Sequence, residues 1–377
     1  MKPKLLFLVT QDWYFCSHRF ALAKSALAAG LDVVLATHVS DCGDLIRSAG
    51  IRLIPIKMRR GIRSPFAELF SILDLIRLYK RENPDIVHHV ALKPILYGSI
   101  AARLSRVPHQ IQAIAGFGFV FSSSRRKAGL LRPPVRAMLR WALAGRRSHV
   151  MVQNPNDAMM AGELGVSKER LHLIAGSGVS TDLFAPSPEP ETGIPVVTLV
   201  ARMLWDKGVG EFVAAVRLLK QRGVQLRAYL VGDPDPENPA SIVVDRLEQW
   251  QAEGIVEWQG RRSDIKNVWA ESHIAVLPSY REGLPKSLLE AAASGRPMVA
   301  TDVPGCRSVV INGETGLLVP EKNAEELADA IETLINNKEL RLKMGIQARK
   351  LVESEFSEKI VIEKVIRLYH QLLGRIS

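Results

Sequence analysis

Cysteine is scarce in this sequence: Cys16, Cys42 and Cys306 are widely separated and odd in number. That excludes a disulfide framework and leaves no cysteine pair at the spacing of a zinc site. Long apolar runs are missing too. Residues 5–9 and 196–200 suit buried strands and fall far short of the roughly 20 residues a membrane span needs. Residues 1–4 before that first run have neither the apolar length nor the small-residue cleavage site of a signal peptide, so a cytoplasmic location is expected. Low-complexity tracts and short-period repeats are absent, and 47% of residues are apolar, which argues against extended disorder. The last shortage is local. Residues 1–190 hold 13 Asp and Glu against 26 Lys and Arg, so all of the +11 net charge comes from the first half. A field divided in this way implies an anionic partner for that half: nucleic acid, a membrane surface or a phosphorylated substrate.

At 377 residues the chain is long for one domain and comfortable for two. Strand candidates at 5–9, 33–37, 52–56 and 86–89 alternate with helical patterns at 19–29 and 66–81. A second series begins at Pro195, with strands at 196–200, 226–231, 255–258, 274–277 and 298–301 and helices at 210–221, 241–252, 286–294 and 324–336. Strands spaced by helices argue for βαβ units and a parallel sheet, so an α/β class with two Rossmann-like doubly wound domains is expected. Residues 184–190 hold three prolines and read as a stiff linker. The amphipathic pattern at 357–373 is expected to pack back across the junction onto the first domain. The boundaries are 1–185, 191–356 and 357–377. Ligands of such sheets bind at the carboxyl ends of the strands, so the loops there are the place to look.

Residues 278–291 are the densest of these regions. A strand at 274–277 runs into a loop, and Lys286 opens a helix. A helix N-terminus preceded by Gly283 and Pro285 offers backbone N–H groups and a positive dipole end, which suits a diphosphate. Glu282 in the loop and Glu290 in the helix can reach different hydroxyl-bearing parts of one ligand. A loop charge and a solvated helix residue would also account for the pair. Glu290 is flanked by Leu288, Leu289, Ala291, Ala292 and Ala293, however, and a carboxylate in that setting needs a partner. Arg202 and Lys207 follow the 196–200 strand in one loop, where two cations would neutralise a leaving nucleotide diphosphate. Those two cations can supply the positive charge, so neither a metal nor another cofactor is expected.

The segment from Glu282 to Asp302, with seven residues between Glu282 and Glu290, resembles the motif of retaining glycosyltransferase family 4. The Arg202/Lys207 pair resembles that family's cation pair. The resemblance implies the GT-B fold, in which two Rossmann-like domains face each other across a cleft. It also implies that Glu282 meets hydroxyls of the donor sugar and Glu290 those of the ribose. The backbone at Gly283 and Leu284, with Pro285, would meet the diphosphate, and Arg261 in the 260–262 loop would meet the nucleotide base.

The first domain carries the acceptor side of this resemblance. The loop at 11–19 replaces the Gly-Gly loop of many members and resembles a subset acting on lipid-linked saccharides; Arg19 within it and Lys93 are candidate phosphate contacts. His88 and His89 end a strand where the family often holds a histidine near the reacting sugar, the alternative being satisfied strand-end histidines. Gly116 and Gly118 open a loop that lacks the third glycine of a dinucleotide motif, since Phe121 stands there. That loop resembles one in members that elongate polyprenyl-diphosphate saccharides. Arg125, Arg126 and Lys127, then Arg132, Arg136 and Arg140 at four-residue spacing, interleave with Phe117, Phe119 and Phe121. Arg59, Arg60 and Arg63 add to them. Such clusters suit anionic lipid head groups, each near-surface cation contributing on the order of 1 kcal/mol.

The expected protein is thus a metal-independent retaining glycosyltransferase, peripheral on the inner face of the cytoplasmic membrane. It would move an N-acetylhexosamine from a UDP-sugar, with GDP-mannose as second choice, to a polyprenyl-diphosphate-linked saccharide in cell-surface polysaccharide or glycan biosynthesis. An epimerase of the same fold is one alternative and would not be expected to carry all four of Arg202, Lys207, Glu282 and Glu290. A basic nucleic-acid-binding protein is the other, and it would leave the acidic pair unexplained.

Overall fold

The structure, a computed structural model, describes residues 2–58, 61, 64–117, 126–191 and 193–375, without the side chains of 65 and 126–132. Gly118, Arg125 and the triplet Arg59, Arg60 and Arg63 lie outside the described residues, as do the side chains of Arg126, Lys127 and Arg132. The chain divides into two compact units, Met1–Ser177 with Ile360–Ser377, and Gly178–Lys359.

The first unit is built on seven strands: β1 (Lys4–Gln11), β2 (Asp32–His38), β3 (Arg52–Pro55), β4 (Ile86–Val90), β5 (His109–Ala113), β6 (Ser148–Val152) and β7 (Leu171–Leu173). All pair in parallel, in the order β3-β2-β1-β4-β5-β6-β7. Residues 5–9 are buried without a break, as a parallel strand covered on both faces requires. The helix Pro65–Glu82 starts at Ser64, whose Oγ accepts from the Ala67 amide at 3.2 Å, and stops at Asn83 in the left-handed conformation. From Ile360 on, the helix Glu358–Leu372 belongs to this unit and lays Val361, Val365, Leu368 and Tyr369 into the core around Leu5, Phe7 and Ile111.

The second unit has six parallel strands: β8 (Val196–Val200), β9 (Arg227–Val231), β10 (Glu257–Trp258), β11 (Ile274–Leu277), β12 (Met298–Thr301) and β13 (Gly316–Val319). Their order is β10-β9-β8-β11-β12-β13. Helices Val209–Gln221 and Ala324–Asn336 bury Phe212, Val216, Leu327 and Ile331 against Leu199, Leu230 and Val276. Strand order reverses between β1 and β4 in one sheet and between β8 and β11 in the other. In a doubly wound sheet those are the switch points where ligands bind.

Two expectations change here. The division falls at Ser177/Gly178, so residues 178–185 belong to the second unit rather than the first. The proline-rich stretch is no linker. Glu189 takes both ends of the Arg341 guanidinium at 2.9 and 3.0 Å, and Arg296 donates to Ser187 Oγ and the Pro188 carbonyl, so buried arginines hold the stretch on the second unit.

Candidate active site

The loops after β8 and β11 meet at the switch point of the second unit. Tyr280 N donates to the Asp206 carbonyl at 3.0 Å and Ser279 Oγ to the same oxygen at 3.1 Å, which ties the two loops together. Their approach depends on Gly208. Its φ is +71°, and a Cβ there would stand 2.0 Å from the Pro278 carbonyl oxygen. Lys207, one residue earlier, is thereby aimed across the junction, and its Nζ donates to Glu282 Oε1 at 2.5 Å. The Glu282 side chain is only 9% exposed. Gly305 presses on it from below, where a Cβ would lie 2.4 Å from the Glu282 carbonyl oxygen.

Arg202, at the start of the same β8 loop, forms an ion pair with Asp235 in the loop after β9. The helix Lys286–Ala293 follows Pro285 with no side-chain cap on its first turn. Glu290 lies one turn inside that helix, 3.7 Å from Lys286 Nζ. Burial pushes its carboxyl up to about 6; Lys286 pulls the other way, as does the Trp269 indole N–H beyond ordinary hydrogen-bond geometry. Arg261 follows β10 and is exposed, whereas its neighbour Arg262 is committed to Asp264 and Glu271. Arg202, Lys207, Glu282, Gly283, Leu284, Pro285, Glu290 and Arg261 therefore all stand on strand-end loops of one sheet or on the helix that follows. Chemically this is a pair of cations, a helix N-terminus and two carboxylates that are both largely buried.

The first unit treats its candidates differently. His88 and His89 are both 0% exposed and lie on opposite faces of β4. His88 Nδ1 bonds the Tyr369 hydroxyl at 2.6 Å and its ring stacks on Phe7; His89 is held by Tyr79 Oη at 3.0 Å and Gln112 Oε1 at 2.9 Å. Burial lowers both, His89 to about 4, so each stays neutral near pH 7. Both rings are thus built into the core of β4, with His88 Nε2 buried and unbonded among the described residues. Lys93 is likewise committed, to Glu68 at 2.8 Å and to the Gly61 carbonyl. Arg19 is 4% exposed and donates to the carbonyls of His18 and Gly176. Gly116 has φ +114° and passes the chain to Phe117, which is 2% exposed and not available to a lipid. Arg136 and Arg140 are exposed, as their spacing implied, with Arg136 3.8 Å from Glu163.

Two features escaped sequence reasoning. The expected loop at 11–19 is largely a helix, Asp12–His18, opened by the buried Asp12. Burial would raise that carboxyl, but donors from Ser40, Cys42 and Trp13 outweigh it and hold it below the usual range. Asp12 thus clamps the ends of β1 and β2. The second feature is a stripe on the helix Pro65–Glu82, where Phe66, Leu69, Phe70 and Leu73 are 76, 54, 63 and 36% exposed. The i, i+3, i+4, i+7 spacing was visible in the sequence, but not that this face would be the uncovered one.

A family model described as "Glycosyl transferase 4-like" matches residues 4–154, and one described as "Glycosyl transferases group 1" matches residues 194–337. The chain belongs to glycosyltransferase family 4. This glycosyltransferase is 29% identical over 343 residues to an N,N'-diacetylbacillosaminyl-diphospho-undecaprenol alpha-1,3-N-acetylgalactosaminyltransferase of Campylobacter jejuni, covering 88% of this chain and 89% of that protein. It is 26% identical to a UDP-Gal:alpha-D-GlcNAc-diphosphoundecaprenol alpha-1,3-galactosyltransferase of Escherichia coli, over 80% of this chain and 79% of that one. The crystal structure of Anabaena HepE in complex with UDP and glucose superposes with a TM-score of 0.77 at 20% identity, covering 97% and 99% of the two chains. That likeness shows the shared GT-B fold. Glycosyl transfer, not epimerisation, is the activity of this chain.

Proposed function

We propose that this glycosyltransferase moves an N-acetylhexosamine from a UDP-sugar to a saccharide carried on a polyprenyl diphosphate, with retention at the anomeric carbon. The observation that carries the donor half is the Lys207–Glu282 pair, whose carboxylate stands in the loop that leads into the Lys286–Ala293 helix. The donor diphosphate would meet the backbone at Gly283 and Leu284, with Arg202 and Lys207 balancing the charge that develops on the leaving nucleotide. Glu282 would accept from donor-sugar hydroxyls. Glu290 would accept from the ribose, and a carboxyl at about 6 is mostly ionised near pH 7. With two cations placed there, no divalent metal is required, and transfer should survive EDTA.

The acceptor half rests on the Campylobacter and Escherichia relatives, which act on undecaprenol-linked saccharides by their names. It rests also on the first unit's charge and its exposed stripe. Phe66, Leu69, Phe70 and Leu73, with Arg77, Lys80 and Arg81 exposed further along the same helix, fit an anionic bilayer surface. No helix among the described residues is long and apolar enough to cross a membrane. Docking from the cytoplasmic face is therefore part of the proposal, and nucleic acid is no part of it.

The test is transfer from UDP-GalNAc, UDP-GlcNAc, UDP-galactose and GDP-mannose to an undecaprenyl-diphosphate saccharide, with UDP release and lipid product measured together. UDP release that depends on the lipid-linked acceptor supports the proposal. Release to a soluble acceptor alone, or preference for GDP-mannose, overturns the corresponding half. In flotation with phosphatidylglycerol vesicles, Phe66→Ser with Phe70→Ser should reduce binding at least tenfold, since each buried Phe contributes about 1.5–3 kcal/mol. Retention on DNA or RNA at physiological salt would instead give the basic half a different partner.

A further inference from the structure

The first unit carries a second group of cations that glycosyl transfer leaves unused. It lies at the amino ends of the strands, away from the carboxyl ends where the nucleotide-binding architecture places ligands. Residues 101–150 contain ten Arg and Lys and no Asp or Glu. Within that stretch Arg106, Arg146 and Arg147, with His109 at the start of β5 and His149 in β6, line a surface cavity of about 500 Å³. An adjoining cavity of about 330 Å³ shares Arg146 and Arg147 and adds Arg103 and Ser148.

Three observations separate this from a solvated basic face. Ser148 is 2% exposed, yet its hydroxyl has no hydrogen-bond partner. Among the described residues no carboxylate pairs with Arg103, Arg106, Arg146 or Arg147, and the Arg147 guanidinium reaches only the Arg106 carbonyl, at 3.4 Å. Arg106 itself sits at φ +57°, where the helix-to-strand turns before β2 and β3 have Gly30 and Gly50. Left-handed backbone costs an L-residue roughly 1–2 kcal/mol, so an arginine there is held against its own preference. Of the two histidines, only His109 feels one of these arginines directly. His149 is lowered to about 4, by burial first and then by His172, His109 and Arg170. His109 is lowered by burial and by Arg147, with Asp85 acting the other way.

Arg103 is held on Trp141, by that residue's carbonyl and ring. Arg106, Arg146 and Arg147 with the buried Ser148 hydroxyl, without a carboxylate partner among the described residues, match the oxygens of a phosphate group. We infer that these adjoining cavities bind a phosphate-bearing anion, at a site separate from the donor loops of the second unit. The phosphate could belong to a free phosphorylated molecule or to a phospholipid head group, and the two sources are separable.

The full chain, with UDP saturating the donor site, is titrated with inorganic pyrophosphate. Binding is followed by calorimetry and by the imidazole NMR signals of His109 and His149, assigned from His109→Gln and His149→Gln. In a second arm, flotation compares phosphatidylglycerol with phosphatidylcholine vesicles. Pyrophosphate should shift both imidazole signals, and Arg106→Gln with Arg147→Gln should weaken its binding at least tenfold at unchanged Tm. Vesicle binding that falls tenfold in the double variant, without any pyrophosphate response, assigns the site to a lipid head group and upholds the inference. Wild-type affinity of the double variant for both probes overturns it, as does a wild-type protein that responds to neither. Should the double variant unfold, Ser148→Ala replaces it and must weaken the same probe at least threefold.

Discussion

The two units share one plan, a parallel sheet with a switch point, and use it in opposite ways. In the second unit the switch-point loops end in ionisable side chains that face one another, Lys207 with Glu282 and Arg202 with Asp235. In the first, the matching position is closed by internal bonds. Asp12 is clamped by backbone amides, His88 and His89 are bonded to tyrosines, and Lys93 is paired with Glu68. What it leaves outward is apolar and basic surface instead. One Rossmann-like unit is thus built to hold charge at strand ends, and the other to hold its sheet together and present a face. The same fold gives no guidance as to which unit does which. The decision lies in whether a polar side chain finds its partner inside the unit.

The largest effect should come from breaking the charged constellation. Glu282→Gln and Lys207→Ala should each lower turnover by about 10²-fold, on the order of 3 kcal/mol, with Tm nearly unchanged. Their double variant should cost less than the sum, since one removes the other's partner. If a His88→Gln variant loses as much activity as Glu282→Gln, the contrast drawn between the units is wrong. Gly208→Ala comes next. The added methyl would stand 2.0 Å from the Pro278 oxygen at a positive φ, so the loops must separate. Thermal unfolding should show a loss of about 2 kcal/mol or more, accompanied by weaker UDP binding in calorimetry.

Tyr369→Phe probes the first unit. It leaves His88 Nδ1 buried without its 2.6 Å partner, which should cost about 1–3 kcal/mol in denaturant unfolding while turnover stays within threefold. A large loss of turnover at wild-type stability would return His88 to the reaction. The smallest effect concerns Glu290. Its carboxyl is raised to about 6 in the folded chain, so folding binds that proton more tightly than the unfolded chain does. The resulting stabilisation is complete below the ordinary carboxyl value and is lost as pH rises through 6. Relative to wild type, Glu290→Gln should gain about 1–2 kcal/mol between pH 4 and pH 7.5, measured by Tm without ligand. A wild-type profile in the variant would show that burial does not perturb this carboxyl.

Much of the fold was legible where a short apolar run lay between helical patterns, although β13 was passed over. Residues 5–9, 196–200 and 274–277 are continuous apolar strands because parallel sheets are covered on both faces. The strands β5, β6 and β7 were not read, since Gln110, Gln112, Ser148 and His172 interrupt the apolar signal. The loop after β11 was legible for another reason: Glu282, Gly283, Lys286 and Glu290 are close in sequence, so local geometry alone assembles them. The partners of the first unit's candidates were not legible because they are distant. Lys93 meets Glu68 across 25 residues and His88 meets Tyr369 across 281, and no spacing rule carries that information.

The sequence by itself determined the α/β alternation, the family and the set of residues at the second unit's strand ends. Each of these is written in local periodicity or in a continuous motif. Tertiary structure decided where the chain divides, and bonds from Arg296 and Arg341 hold 187–189 on the second unit instead of leaving a linker. It decided that the Phe66–Leu69–Phe70–Leu73 face is exposed and that Arg103, Arg106, Arg146 and Arg147 gather with no carboxylate paired to them among the described residues. The physical reason is common to all three. Burial and ion pairing are relations between surfaces, and a side chain becomes structural or available only when the rest of the fold has supplied its neighbour or failed to.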